Sequence, residues 1–254
     1  RWKGESVMFR DICGMVFVVS LICMPSVFAD EHLLFYANFD EDVGNEVKDH
    51  SQYGNDGELR EGAKWSPDGK YGGCAEIREH LAHVNVVHND LFNVTDTITM
   101  EAWVNPDEGF LAVERGIIVQ KVGNYVLWFM ANGQVRVADD TGEKLDTVGY
   151  PFEAGKWYHI AGILDTRSPL RQIYVNGELV AEDEVAFDMV TTTQPLQMGR
   201  KETDSTFQYR GSIDEVRVWD VVRTAEEIKQ DMEGPLKAVL PAGTLTTTWG
   251  HLKD

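Results

Sequence analysis

A chain of 254 residues with 43% hydrophobic and 26% charged content can bury a sizeable core, which excludes a disordered polymer. Its 42 acidic residues against 23 basic ones give a formal charge of -19 and argue against a nucleic-acid surface, because phosphate binding needs clustered Lys and Arg. The same balance suits an exported protein, a neutral partner or a divalent cation.

The first element is a leader. From Met8, read as the initiator with residues 1–7 upstream of it, a short basic region holding Arg10 precedes an apolar stretch from Met15 to Met24. Val27-Phe28-Ala29 then offers small residues for signal-peptidase cleavage before Asp30. The apolar stretch is short for a membrane span, and nothing after it could cross a bilayer, so no span is expected in the mature chain. Cys23 follows Ile22, where lipidation requires a small residue. Removing residues 1–29 leaves 20 basic and 40 acidic residues, a formal charge of -20, with Cys74 as the one remaining cysteine and no intramolecular disulfide. Cys74 lies in Gly72-Gly73-Cys74-Ala75 and reads as a small buried hydrophobe.

From Asp30 onward the hydrophobic period is two. Leu33, Phe35, Ala37 and Phe39 alternate with Leu34, Tyr36, Asn38 and Asp40, and Ile98, Met100, Ala102 and Val104 with Thr97, Thr99, Glu101 and Trp103. Further strand-like runs are Ile117–Gln120, Tyr125–Met130, Val135–Val137, Trp157–Leu164, Leu170–Val175 and Ile213–Trp219. Asn132-Gly133 and Asn176-Gly177 are hairpin signals of the type I′ kind. Trp157–Leu164 is apolar on both faces and belongs in the middle of a sheet. One helix is expected, capped by Thr224 with Glu227 three residues on and stopped at Gly234-Pro235. The organisation predicted is a leader (1–29), one β domain (30–234) and an extended tail (235–254).

Three stretches carry a family resemblance. They are Phe39-Asp40-Glu41-Asp42 with Asp49-His50-Ser51 and Gly54-Asn55-Asp56-Gly57; Gly72-Gly73-Cys74-Ala75 with Ile98–Val104; and Gly211–Trp219 with Arg223–Ile228. In order and spacing they resemble the concanavalin A-like, laminin-G-like domains of bacterial secreted proteins. That resemblance implies an all-β, two-sheet antiparallel jelly-roll sandwich, here with one short C-terminal helix. Lectins, adhesion modules and glycosidases share this fold, so the fold does not give the function.

Glycosidase relatives carry alternating Glu and Asp on one strand, where one carboxylate attacks and another donates a proton. The nearest segments here are Glu202-Thr203-Asp204 without a following Glu, and the continuous Glu182-Asp183-Glu184, whose side chains point to alternate faces. No catalytic residue is assigned. His80, His83 and His88 share neither a helical face nor a strand parity and do not read as a zinc site.

In the last strand Val216 and Val218 share one parity and Ile213 the other, which predicts a β-bulge at Asp214-Glu215. The resemblance implies a structural calcium held by an acid at this position with oxygens from the N-terminal part. Calcium takes six to eight oxygens. The candidate ligands are Asp214 first, then Asp49 and Asn55, with Asp40 a weaker member. The alternative for Asp214 is capping of turn amides, and for Asp49 an Asx-turn with Ser51.

For a glycan, Trp103 and Glu101 share the parity opposite Met100 and Ala102 and are candidates to line a concave surface, unless a loop covers them. Trp65, Phe110 and Trp128 are further aromatic candidates. The expected function is a non-catalytic, calcium-stabilised extracellular module that binds a glycan or an extracellular protein surface. Nucleic acid is excluded as a partner, and the location is secreted, periplasmic or cell-surface. A glycoside hydrolase, or the detached accessory domain of one, is the alternative.

Overall fold

The period-two segments pair into two eight-stranded sheets in the computed structural model, which describes residues 30–108, 110, 115–130, 133–139, 144–147, 149–200 and 207–236. The leader and most of the tail lie outside the described residues, as does Asn132. In chain order the strands are β1 (Leu33–Ala37), β2 (Glu46–Val47), β3 (Gly57–Arg60), β4 (Lys64–Ser66), β5 (Cys74–Ile77) and β6 (His83–Val86). There follow β7 (Thr97–Pro106), β8 (Gly116–Lys121), β9 (Tyr125–Met130), β10 (Gln134–Asp139) and β11 (Lys144–Asp146). The remainder are β12 (Tyr158–Asp165), β13 (Leu170–Val175), β14 (Glu178–Glu184), β15 (Leu196–Met198) and β16 (Gly211–Trp219), and the helix α1 is Ala225–Asp231.

Sheet I runs β14-β13-β12-β7-β16-β5-β4, with β1 also on β16; sheet II runs β11-β10-β9-β8-β15-β6-β3-β2. Every pairing is antiparallel. This is the jelly-roll sandwich that alternation and turn chemistry imply. Met100, Ala102, Val104, Ile160 and Leu164 of sheet I share one core with Val84, Val119, Leu127, Val137 and Met198 of sheet II. The sheets approach closely at Gly162, where a Cβ would fall 2.8 Å from Leu127 Cδ1.

Local signals behave as their chemistry requires. Asn176 and Gly177 adopt φ of 51° and 75°, the pair of left-handed residues a type I′ hairpin needs between β13 and β14. Strand β12 lies between β7 and β13. Its inward residues enter the main core, whereas outward-facing Ala161 and Ile163 pack under Ile228 of α1. The two-sided apolarity of β12 thus reflects a helix laid on the outer face of sheet I. Thr224 caps α1 with the full reciprocal box to Glu227. Among the described residues Cys74 is a free, buried cysteine, and burial pushes its thiol up to about 11.

Candidate functional site

Strand β16 shares one edge with two partners. Gly211–Ile213 pair with β5, Val216–Trp219 pair with β1, and Asp214-Glu215 fall in the gap between them. Opposite β7 the register slips between Asp214 and Arg217, and Glu215 takes φ of 51°. The bulge returns Val216 and Val218 to the core with Ile213, as the parity break demands.

Asp214 is fully buried, with Oδ2 accepting the amide of Tyr71 (3.0 Å) and Oδ1 the amide of Glu215 (2.7 Å). Burial, and then the charge of Glu215, push its carboxyl up to about 8 against the pull of the backbone amides. Asp40 reaches the same Lys70–Gly73 turn, where its Oδ1 accepts the amide of Gly73 at 3.2 Å. A Cβ at Gly72 would lie 1.9 Å from that oxygen, so only glycine admits this approach.

Asp49 and Asn55 belong elsewhere. The two oxygens of Asp49 accept the amides of Tyr36 (3.0 Å), Ser51 (2.9 Å) and Asn55 (2.7 Å) and the hydroxyl of Ser51 (2.8 Å). Four donors occupy the acceptor directions of that carboxylate, so it is the knot of an Asx-type turn. Asn55 Oδ1 accepts Asn89 Nδ2 at 2.7 Å. The expected four-residue set therefore splits into two places, and among the described residues no group of three or more His, Cys, Asp or Glu is arranged to hold a metal.

Glu101 and Trp103 do lie on the outer face of sheet I, but neither lines an open surface. Glu101 is fully buried and Trp103 is 5% exposed. The Lys70–Gly73 turn covers the indole, with Lys70 Nζ 4.2 Å above the ring, and Tyr71 and His159 pack edge-on against it. Glu101 Oε2 lies 3.4 Å from His159 Nε2. Burial, then the charge of Asp231, hold Glu101 well above the usual carboxylate range; burial, then Arg217, hold His159 down at about 3. The expectation of a concave glycan surface here fails because α1 and a distant turn close over it.

Sheet II carries a different outer face. Trp128 on β9 is flanked in register by Ile117 of β8 and Arg136 of β10. Arg136 makes a two-point ion pair with Asp146 and sits 5.7 Å from the indole centroid. Phe207 stacks on Trp128, and both rings pack on Ile117, Val126 and Ala138. Farther along the face, buried Gln120, Gln197 and Asn85 lie side by side across β8, β15 and β6. Among the described residues Trp128 Nε1 and Gln120 Nε2 are buried without a hydrogen-bond partner. Of the other aromatic candidates, Phe110 is buried against Phe129 and Tyr209, and Trp65 donates to the carbonyl of Phe39 at 2.7 Å.

His80 is exposed. His83 donates from Nδ1 to the carbonyl of Leu81 at 2.8 Å, and His88 Nδ1 accepts from Lys121 Nζ at 2.8 Å. Glu182, Asp183 and Glu184 lie on β14 at the end of sheet I, where Arg171 holds Asp183 (2.7 Å). Glu202 and Asp204 lie outside the described residues.

A family model described as the concanavalin A-like lectin/glucanases superfamily (Laminin_G_3) matches residues 81–229. The chain belongs to this superfamily. Pappalysin-1 of Mus musculus is 34% identical over 122 residues, which are 45% of this chain but 7% of that protein. Among solved structures, domain 4 of AbnA, a GH43 extracellular arabinanase from Geobacillus stearothermophilus in complex with arabinotriose, superposes with a TM-score of 0.62 at 17% identity. That match covers 78% of this chain and 97% of that one. The receptor binding domain of botulinum neurotoxin C/D mosaic serotype gives 0.62 at 14% identity, covering 80% of this chain and 51% of that one. The chain thus spans about half of the toxin binding domain and a small fraction of pappalysin-1. At these identities the solved structures establish the fold alone.

Proposed function

We propose that this domain is a non-catalytic carbohydrate-recognition module acting outside the cell and binding through the outer face of sheet II. The observation that carries this reading is Trp128: an indole on a sheet face, its Nε1 buried without a partner among the described residues, beside the Arg136–Asp146 pair. A sugar ring has an apolar C–H face that stacks on an aromatic plane, and hydroxyls that answer fixed donors and acceptors. The arabinanase domain solved with arabinotriose, and a botulinum type C toxin whose cell entry depends on two ganglioside molecules, support a glycan as the ligand class. The fold also serves hydrolases, so the assignment rests on this face.

The test is a glycan array followed by calorimetry on the best-bound sugar, for wild type and Trp128→Ala. Binding lost in the variant, with no reducing sugar released by either protein, is the expected result. Equal binding by both proteins moves the site off this face. Steady hydrolysis by pure protein sinks the non-catalytic reading. Export is tested by N-terminal sequencing of secreted material, expected to begin near Asp30.

A stabilising calcium is the second proposal, now restricted to Asp40 and Asp214. It is favoured by a buried carboxylate that no cationic side chain pairs with among the described residues, and by the approach of both acids to one turn. Both already accept amide hydrogens, so backbone carbonyls would have to complete the shell. A ligand at a hundredfold excess over Kd adds about 2.7 kcal/mol. Thermal melts with chelator and with millimolar calcium should show a gain lost in Asp214→Ala and kept in Asp49→Ala. The reverse pattern rejects this site.

A further inference from the structure

The rings of Trp128 and Phe207 are parallel to within 4°, with centroids 5.1 Å apart. This offset stack is the arrangement in which a sugar ring would lie on the indole. The backbone beneath Phe207 is pinned. Its carbonyl accepts the amide of Ile117 at 3.3 Å. Gln208, next along, donates from Nε2 to the carbonyls of Ala82 (3.0 Å) and Tyr209 (3.0 Å) and accepts the amide of Leu81 (3.1 Å). Tyr209 is fully buried against Phe110 and Phe129. The ring is partly exposed on a backbone held from its carbonyl onward, and rotamer changes of such rings are fast.

The stack also leaves something unmet. Trp128 Nε1 is buried and has no acceptor among the described residues, and the aromatic pair covers a small apolar patch of Ile117, Val126 and Ala138. A ligand hydroxyl would supply the acceptor that the phenyl ring cannot.

We propose that Phe207 is a built-in plug: its ring holds the stacking face of Trp128 in the free protein and turns aside when a sugar ring takes that place. This rests on the recognition reading above and adds its regulation. Affinity is then reduced by the fraction of molecules in which the plug is seated, and removing the ring restores it.

The experiment is calorimetric titration of wild type, Phe207→Ala, Phe207→Leu, Trp128→Ala and the Phe207→Ala/Trp128→Ala pair with arabinotriose, lactose and sialyllactose. Thermal melts check that each protein is folded. Phe207→Ala is expected to bind at least one of these sugars threefold or more tighter than wild type, with Phe207→Leu between them. The gain must vanish when Trp128 is also replaced. If wild type binds through Trp128 and Phe207→Ala binds equally or more weakly, Phe207 is a contact and the plug is wrong, while the recognition face stands. If a gain persists without Trp128, the ring is not guarding that indole and the plug is again wrong. If none of the five proteins binds any of the three sugars, the recognition face and its plug fall together.

Discussion

The outer faces of the two sheets present the same kind of sequence, polar and aromatic residues alternating with core residues, and come to opposite ends. On sheet I, α1 and the Lys70–Gly73 turn close over Glu101, Trp103, His159 and Arg217, so that a charged and aromatic layer becomes a second interior. On sheet II, Trp128 and Arg136 remain partly exposed, with Phe207 laid on the indole. Alternation decides which way a side chain points. Whether that direction ends in solvent is decided by segments far away in the chain.

The seal on sheet I turns on Arg217, and removing it gives the largest expected effect. The guanidinium is fully buried, pairs with Glu215, donates to the carbonyls of Asp231 (2.9 Å) and Gly234 (2.8 Å), and lies 4.7 Å from the ring centroid of Tyr36. It thereby fastens the end of α1 to β16. Arg217→Ala strands Glu215 and two carbonyls, and should cost about 3–5 kcal/mol by denaturant unfolding. Replacing Glu215 as well, by Gln, should recover part of that loss. A cost below about 1 kcal/mol would mean that apolar packing of Ile228, not this charge cluster, closes the face.

Much of this is legible in the sequence. The bulge at Asp214-Glu215 followed from a parity break, the β13–β14 hairpin from Asn176-Gly177, and the cap of α1 from Thr224 and Glu227. These are local signals, in which neighbours in sequence are neighbours in space. What could not be read is the lid. Trp103 is covered by Lys70 and Tyr71, and Trp128 by Phe207, contacts that depend on how loops pack. The parity of Trp128, opposite Leu127 and Phe129, was the available clue to its face. Asp49 was readable both ways, as a ligand or as a turn, and its four hydrogen bonds favour the turn.

The sealed face should also announce itself in pH. His159 is held neutral, with a pKa of about 3 against an ordinary value of 6.5. Between those values the unfolded chain binds a proton that the folded chain refuses, so stability falls as pH drops through this window. Neighbouring Glu101 is shifted upward, and its contribution is instead lost as pH rises. Melting temperatures taken between about pH 6 and pH 4 should fall less steeply in His159→Gln than in wild type. Parallel slopes would show that His159 takes up its proton without disturbing the layer.

A smaller effect is expected at the start of α1. Thr224 Oγ1 accepts the amide of Glu227 (3.3 Å), and Glu227 accepts the amide of Thr224 (2.8 Å). Seven residues are too few to be helical alone, so the cap and Ile228 act together. Thr224→Ala should cost about 1 kcal/mol. An unchanged denaturation midpoint would mean that the lid is held by its packed side alone.

The smallest stability effect belongs to the open face, and that contrast sharpens the comparison most. Arg136, whose side chain is 14% exposed, pairs with Asp146, 30% exposed, and its guanidinium lies 5.7 Å from the Trp128 ring centroid. An ion pair in this setting contributes about 1 kcal/mol or less, and no buried carboxylate is stranded when it is broken. Arg136→Gln should therefore leave the denaturation midpoint nearly unchanged. If sheet II is the recognition face, the same substitution should weaken sugar binding several-fold, because the guanidinium edge would lose its place beside the stacked ring. A variant that melts like wild type and binds less separates the two faces by function, where Arg217→Ala separates them by stability. If Arg136→Gln instead destabilises as severely as Arg217→Ala, both outer faces are structural and the contrast between them is lost.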